Sequence, residues 1–211
     1  MEMINHNQLI AQFRSFRQHL CKLFKSYSDS IIDLIDALAS NSNGAASPVE
    51  LSILVADSIY SQRSFLFDAS KHKNLVVIAR VRSNRIFYSA PPAQQEDKKR
   101  GCPKKFGERF DLANEQTWHP PDKTTQIQSI TKKGRQFTVT LDAWHHMLMR
   151  GTKEEQMYKC PFTLVRVNVT DDTGCAVWKP MWLIVMGEQR ERILQLLPSL
   201  LEKNPLNVFN I

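Results

Sequence analysis

"LSILVADSIYSQRSFLFDASKHKNLVVIARVRSNRIFY", residues 51–88, decides the fold class. Its first seven residues are a short, nearly continuous apolar run of the kind that forms a strand buried on both faces, and the run ends in a carboxylate, Asp57. "SQRSFLFDAS" then predicts a helix with Ser61 at its start. "NLVVIARVRSNRIFY" predicts a second buried strand that turns into a basic, edge-like one carrying Arg82 and Arg85. Strand, helix, strand is a βαβ unit, and it places the chain in the α/β class.

Upstream of this unit, "NSNGAASP" (Asn41 to Pro48) is a turn-rich linker. Before it, Phe13, Phe16, Leu20 and Phe24, then Ile31, Ile35 and Leu38, recur at helical spacing and predict an N-terminal helical hairpin over residues 1–40. Downstream, residues 89–121 are rich in Pro, Gln and charge and predict an extended insertion. "TTQIQSI" and "RQFTVTLDAW" around Lys133-Gly134 predict a β-hairpin, and "FTLVRVNVTDDTGCAVWKPMWLIVMG" predicts two strands across the turn Asp171 to Gly174. The expected organisation is therefore a helical region to residue 40, a linker at 41–50, an α/β domain over 51–190 with a β-rich insertion at about 89–160, and a helix with tail over 191–211, interrupted at Pro198.

With 211 residues and 42% hydrophobic content, the chain is long and apolar enough to bury one substantial core, which excludes disorder throughout. No apolar run approaches the roughly 18 residues of a membrane span, and the start lacks the basic and apolar regions of a secretory signal, so a cytoplasmic protein is expected. Cys21, Cys102, Cys160 and Cys175 form no C-x-x-C pair and are read as reduced thiols. His145 and His146 with Cys160 match no ligand spacing, and Trp118, Trp144, Trp178 and Trp182 are read as core and interface aromatics.

The charge is not spread evenly. Between Lys71 and Arg109 eleven Lys and Arg face three acids, a local +8 in a chain of net +7, so the remainder carries −1. Clustering of this kind points to a polyanion, because phosphate neutralisation with counterion release rewards it. The densest part is "KKRGCPKKFGERF", Lys98 to Phe110, where Gly101, Pro103 and Gly107 are expected to prevent any regular element. Lys98, Lys99, Arg100, Lys104, Lys105 and Arg109, together with Arg82 and Arg85, are the predicted contacts to that polyanion.

Asp57 is the candidate for chemistry, since ligands bind at the carboxyl ends of strands in open α/β sheets and a hard anionic oxygen there suits magnesium. "LVADSIYSQRSFL", "LVVIARVRSNRIFY" followed by "PP", "RGCPKKFGERFDL" with "TW" after it, and "KPMWLIVMGE" resemble, in this order, the middle of bacterial insertion-sequence transposases with a DDE nuclease domain. The resemblance runs from Leu51 to Gln189. It implies an RNase H-like sheet, here partial, with a β-rich insertion. It also implies Mg2+ or Mn2+ as cofactor, DNA element ends as substrate, and strand cleavage and transfer as activity. A second copy or a full-length transposase is the implied protein partner. Asp57 corresponds to the second of the family's three acids. "RGCPKK" is similar to an R-G-R-P-K-K minor-groove hook in which Cys102 replaces the second Arg, which implies charge contacts with a weak A·T preference.

The other two acids are missing from the pattern. Asp29, Asp33 and Asp36 fall in a predicted helix, and Glu188, Glu191 and Glu202 sit outside any Y-x-x-R-x-x-x-E motif. The sequence thus reads as a transposase copy with an internal deletion before Leu51 and a truncation or frameshift near Gln189. One acid should not hold a two-metal centre. The alternatives are an active nuclease that recruits Glu188 or Glu191, and a non-enzymatic DNA-binding or interaction protein on an α/β scaffold.

Overall fold

The computed structural model describes residues 52–92, 104–130, 135–191 and 193–194. The chain divides into two units, 1–48 and 49–211, and every described residue lies in the second. The expected N-terminal hairpin and the C-terminal helix beyond residue 194 lie outside the described residues.

The quoted stretch folds as a parallel strand pair with a crossover. β1 (Ser52–Ala56) pairs with β2 (Leu75–Val81) in parallel, from Ser52↔Leu75 to Ala56↔Ala79. Parallel strands need a long crossover. It is supplied by a 3-10 turn (Ser58–Ser61) and by α1 (Arg63–Ala69), whose Phe65, Leu66 and Ala69 form the buried face. Ser61 does not start the helix as expected, because its hydroxyl donates to the Ser58 carbonyl at 2.7 Å and closes the preceding turn. Gln62 takes the capping position instead.

After β2 the basic stretch does not continue as an edge strand of the same sheet. A turn closed by the Arg85 N–H on the Arg82 carbonyl (3.3 Å) diverts the chain into β3 (Ile86–Tyr88), which pairs antiparallel with β4 (Arg109–Asp111) in a separate two-stranded sheet. Arg109 and Phe110 are therefore in a strand, although the sequence predicts no regular element there. The reason is Phe110, fully buried, which draws the end of the charged segment into the interior.

β5 (Lys123–Ile130) and β6 (Gln136–Met147) form the expected hairpin, with the pairing ending at Ile130↔Gln136. β7 (Phe162–Asp171) and β8 (Met181–Met186) follow as the two expected strands. The six strands make one mixed sheet in the order β1-β2-β8-β7-β6-β5, with β8 antiparallel to β2. The strands of the insertion thus extend the sheet of the βαβ unit.

Alternation divides the core between two faces. One face carries Val76, Ile78, Val139, Leu141, Val165, Val167, Leu183 and Val185, closed by Ile193. The register places Trp144, Leu164, Ile184 and Ala79 in one row on the other face, beside Trp182. There Phe110 and Trp118 join Trp144 and Trp182 in one aromatic cluster. Trp178 packs, half-buried, against the first face.

β1 is the end strand, and no described strand pairs with its outer side. Ile53 and Val55, on one face of it, are 46% and 47% exposed. Apolar end strands promote edge-to-edge association. The double variant Ile53→Lys, Val55→Lys is expected to lower the aggregated fraction in light scattering while changing stability by no more than about 0.5 kcal/mol. A large loss of stability would show instead that these side chains are covered.

Candidate nucleic-acid interface

Asp57 and the basic residues meet at one end of the sheet. Asp57 follows β1 directly and is half-buried; its carbonyl accepts from the Tyr60 N–H at 3.0 Å, while its side chain makes no capping hydrogen bond. Arg82 follows β2 directly. The carboxyl ends of the parallel pair thus present an acid, level with Arg80 by the register, and Arg82 two residues further along, at the end where open α/β sheets bind ligands.

A cleft of about 800 Å3 opens beside that end, lined by Ser58 and Gln62 of the crossover and by Arg63, Arg82, Arg85, Tyr88, Arg150 and Glu155. Arg82 and Arg85 were legible as cations; Arg63 and Arg150 come from α1 and from the segment after β6 and carried no signal. Arg85 is half-buried, and desolvation, then the nearby Arg82 charge, pull its guanidinium below its ordinary pKa. Its Nη2 lies 3.5 Å from the Ser61 carbonyl. Arg150 lies over the Tyr88 ring at 4.8 Å.

The described part of the basic segment is docked next to Tyr88. The Gly107 N–H donates to the Ser89 carbonyl (2.9 Å), the Ser89 N–H to the Glu108 carbonyl (3.0 Å) and the Glu108 N–H to Ser89 Oγ (2.9 Å). A Cβ on Gly107 would stand 2.4 Å from the Ala90 carbonyl oxygen, so this close approach requires glycine. Phe106 packs on Tyr88 with ring centroids 5.2 Å apart. Lys104 and Lys105 are exposed, the latter with its ammonium 4.5 Å from the Tyr158 ring centroid. Arg109 is exposed but already engaged, donating to Asp111 Oδ2 at 2.8 Å; that bond, then the Ala113 N–H, holds the Asp111 carboxyl below its ordinary pKa. Lys98, Lys99 and Arg100 lie outside the described residues.

Glu188 and Glu191 do not reach Asp57, and Glu202 lies outside the described residues. Met186 ends β8 in register with Val77, and Gly187 then approaches the Leu75 carbonyl at the start of β2. Leu75 pairs with Ser52, five residues before Asp57, so Glu188 leaves the sheet roughly 16 Å from Asp57 along the strand. Glu191 sits 3.6 Å from His145 Nδ1 on β6. β6 is four strands from β1, a separation of roughly 19 Å. His145 is otherwise spent on structure, its N–H donating to Asp122 Oδ2 (2.6 Å) and its ring meeting Thr163 Oγ1 (3.2 Å). Cys160 and Cys175 are free thiols.

A family model described as DDE superfamily endonuclease matches residues 30–151, more than half of the chain. The chain belongs to the DDE superfamily endonucleases. The match includes Asp57, the arginines of the cleft and the basic segment. No curated protein and no solved structure is similar enough to be matched. DDE endonucleases act on DNA and generally use divalent metal ions. Among the described residues of this one, no three His, Cys, Asp or Glu side chains come together as a metal-holding group. Two ions about 4 Å apart need two or three converging carboxylates, and the described residues do not bring such a set to Asp57. No helix among the described residues is long and apolar enough to cross a membrane.

Proposed function

We propose that this DDE endonuclease is an insertion-sequence transposase copy that holds DNA without cutting it. The surroundings of Asp57 carry the reading: Glu188 leaves the far end of the sheet and Glu191 lies four strands away, while the cleft beside Asp57 is lined by four arginines and one acid, Glu155, which is held by Arg63. A site so arranged attracts a phosphate backbone, and among the described residues no group of three carboxylates, histidines or cysteines forms there to hold the metal ions that activate water on it. DNA contact falls to Arg82 and Arg85 and to Lys98, Lys99, Arg100, Lys104 and Lys105, with Arg109 partly neutralised by Asp111. The outer side of β1, with which no described strand pairs, supports a second copy or a full-length transposase as protein partner.

The test is incubation of the purified chain with supercoiled plasmid in magnesium and in manganese. No nicking above the protein-free control is expected, and Asp57→Asn should behave identically. Metal-dependent nicking that disappears in Asp57→Asn would overturn the proposal.

A further inference from the structure

Arg63, Arg82, Arg85 and Arg150 converge on one cleft from three separate parts of the chain, and a single acid among the lining residues, Glu155, faces them. Like charges gathered in this way repel one another; the pKa of Arg85 is lowered first by burial and second by the Arg82 charge beside it. Among the described residues, one of the four is paired with a carboxylate: Arg63 Nε donates to Glu155 Oε2 at 2.6 Å. Arg150 has a ring beneath it, and Arg85 a carbonyl at the limit of hydrogen-bond distance. Among the described lining residues the cleft therefore holds a surplus of about three positive charges. Guanidinium forks match tetrahedral oxyanions, which accept two parallel N–H bonds from each fork.

We infer that this cleft is a phosphate-binding site in which Arg63 and Arg150 act together with Arg82 and Arg85, and in which Glu155 is an internal competitor that the phosphate displaces from Arg63. The proposal rests on the DNA-holding function and deepens it, naming two further contacts and the residue that limits their strength. A phosphodiester of bound DNA is the intended occupant. The basic segment supports that choice, since Phe106 packs on Tyr88, the residue that also supports Arg150, so a backbone lying along Lys104 and Lys105 is led to the cleft. The volume of about 800 Å3 is that of an ordinary ligand pocket and exceeds what one phosphate fills, which leaves room for the attached sugars.

The experiment is a salt titration of duplex binding by the full chain and three variants. Glu155→Gln preserves shape and frees Arg63, so it should tighten binding about three- to tenfold at low salt and steepen the slope of log K against log salt by about one unit. The double variant Arg63→Ala, Glu155→Gln should lose that gain, and Arg150→Ala should weaken binding and flatten the slope by a similar amount. Inorganic phosphate, followed by its shift of the melting temperature, forms the second arm. A shift that requires Arg63 and Arg150 in a chain with no duplex affinity would keep the cleft as a phosphate site and withdraw DNA as its occupant, along with the DNA-holding function. Duplex binding that persists with unchanged affinity and slope in all three folded variants would sink the cleft alone and leave the basic segment as the DNA contact. Absence of both duplex binding and a phosphate shift would overturn both.

Discussion

Replacing Lys98, Lys99, Lys104 and Lys105 together by Ala is expected to flatten the salt dependence of duplex binding by roughly 3.6 units of slope, at about 0.9 counterion released per neutralised phosphate. Between 50 and 200 mM salt the parent chain should then lose about 150-fold more affinity than the variant. The basis is geometric as well as compositional. Hydrogen bonds from Ser89 and the glycine at position 107 fix the end of the segment against β3, so Lys104 and Lys105 project from a defined backbone and remain exposed. Arg109 supplies the contrast, because Asp111 already satisfies part of its charge; Arg109→Ala should change the slope by clearly less than one unit. The sequence of the duplex should matter little in either case. An unchanged slope in the four-lysine variant would make the run a solvated loop.

What could be read before folding was the part of the molecule whose burial is periodic. The run Leu75 to Ala79 is buried on both faces, and its unbroken apolar composition said so; the hairpin around Lys133-Gly134 announced itself by alternation and turn chemistry. β3 and β4 carried no such signal, having three residues each, too few for a period, and pairing across the twenty residues 89–108 of largely polar chain. The insertion of β8 between β2 and β7 is likewise a choice made by tertiary packing. The site divides in the same way. Asp57, Arg82 and Arg85 stand at strand ends and could be singled out from local sequence. Arg63 and Arg150 lie 87 positions apart, and only the crossover after β1 and the return of the chain after β6 bring them to one cleft. The position of Glu188 and Glu191 was also beyond sequence reasoning, because it depends on the direction of β8 relative to β1.

Phe110→Ala is expected to cost about 3 to 5 kcal/mol of unfolding free energy, a large share of the 5 to 15 kcal/mol typical of a domain. Phe110 is fully buried in a three-residue strand, and four rings surround it: Trp118 nearly parallel at 5.9 Å, with His119 at 5.3 Å, Trp144 at 5.2 Å and Trp182 at 6.2 Å. Such rings are held by neighbours that cannot easily collapse inward, since Trp144 Nε1 is fixed on the His119 carbonyl (2.8 Å) and Trp118 Nε1 on the Asp111 carbonyl (2.7 Å). A cavity left there stays open, and its cost adds to the lost transfer free energy. Arg166, which lies 4.9 Å from the Trp118 ring and 6.0 Å from that of Trp182, would lose part of its apolar support as well. Val177→Ala, at a site 40% exposed, is the control and should stay within about 0.5 kcal/mol. Denaturant unfolding of both variants measures the difference. Because Phe110 anchors the end of the basic segment, its loss should also free Lys104 to Arg109 from β3, seen as faster amide exchange at Gly107 and Glu108. A cost below about 1 kcal/mol with both amides still protected would mean that the segment is held by its hydrogen bonds to Ser89 alone, and Phe110 would not be its anchor.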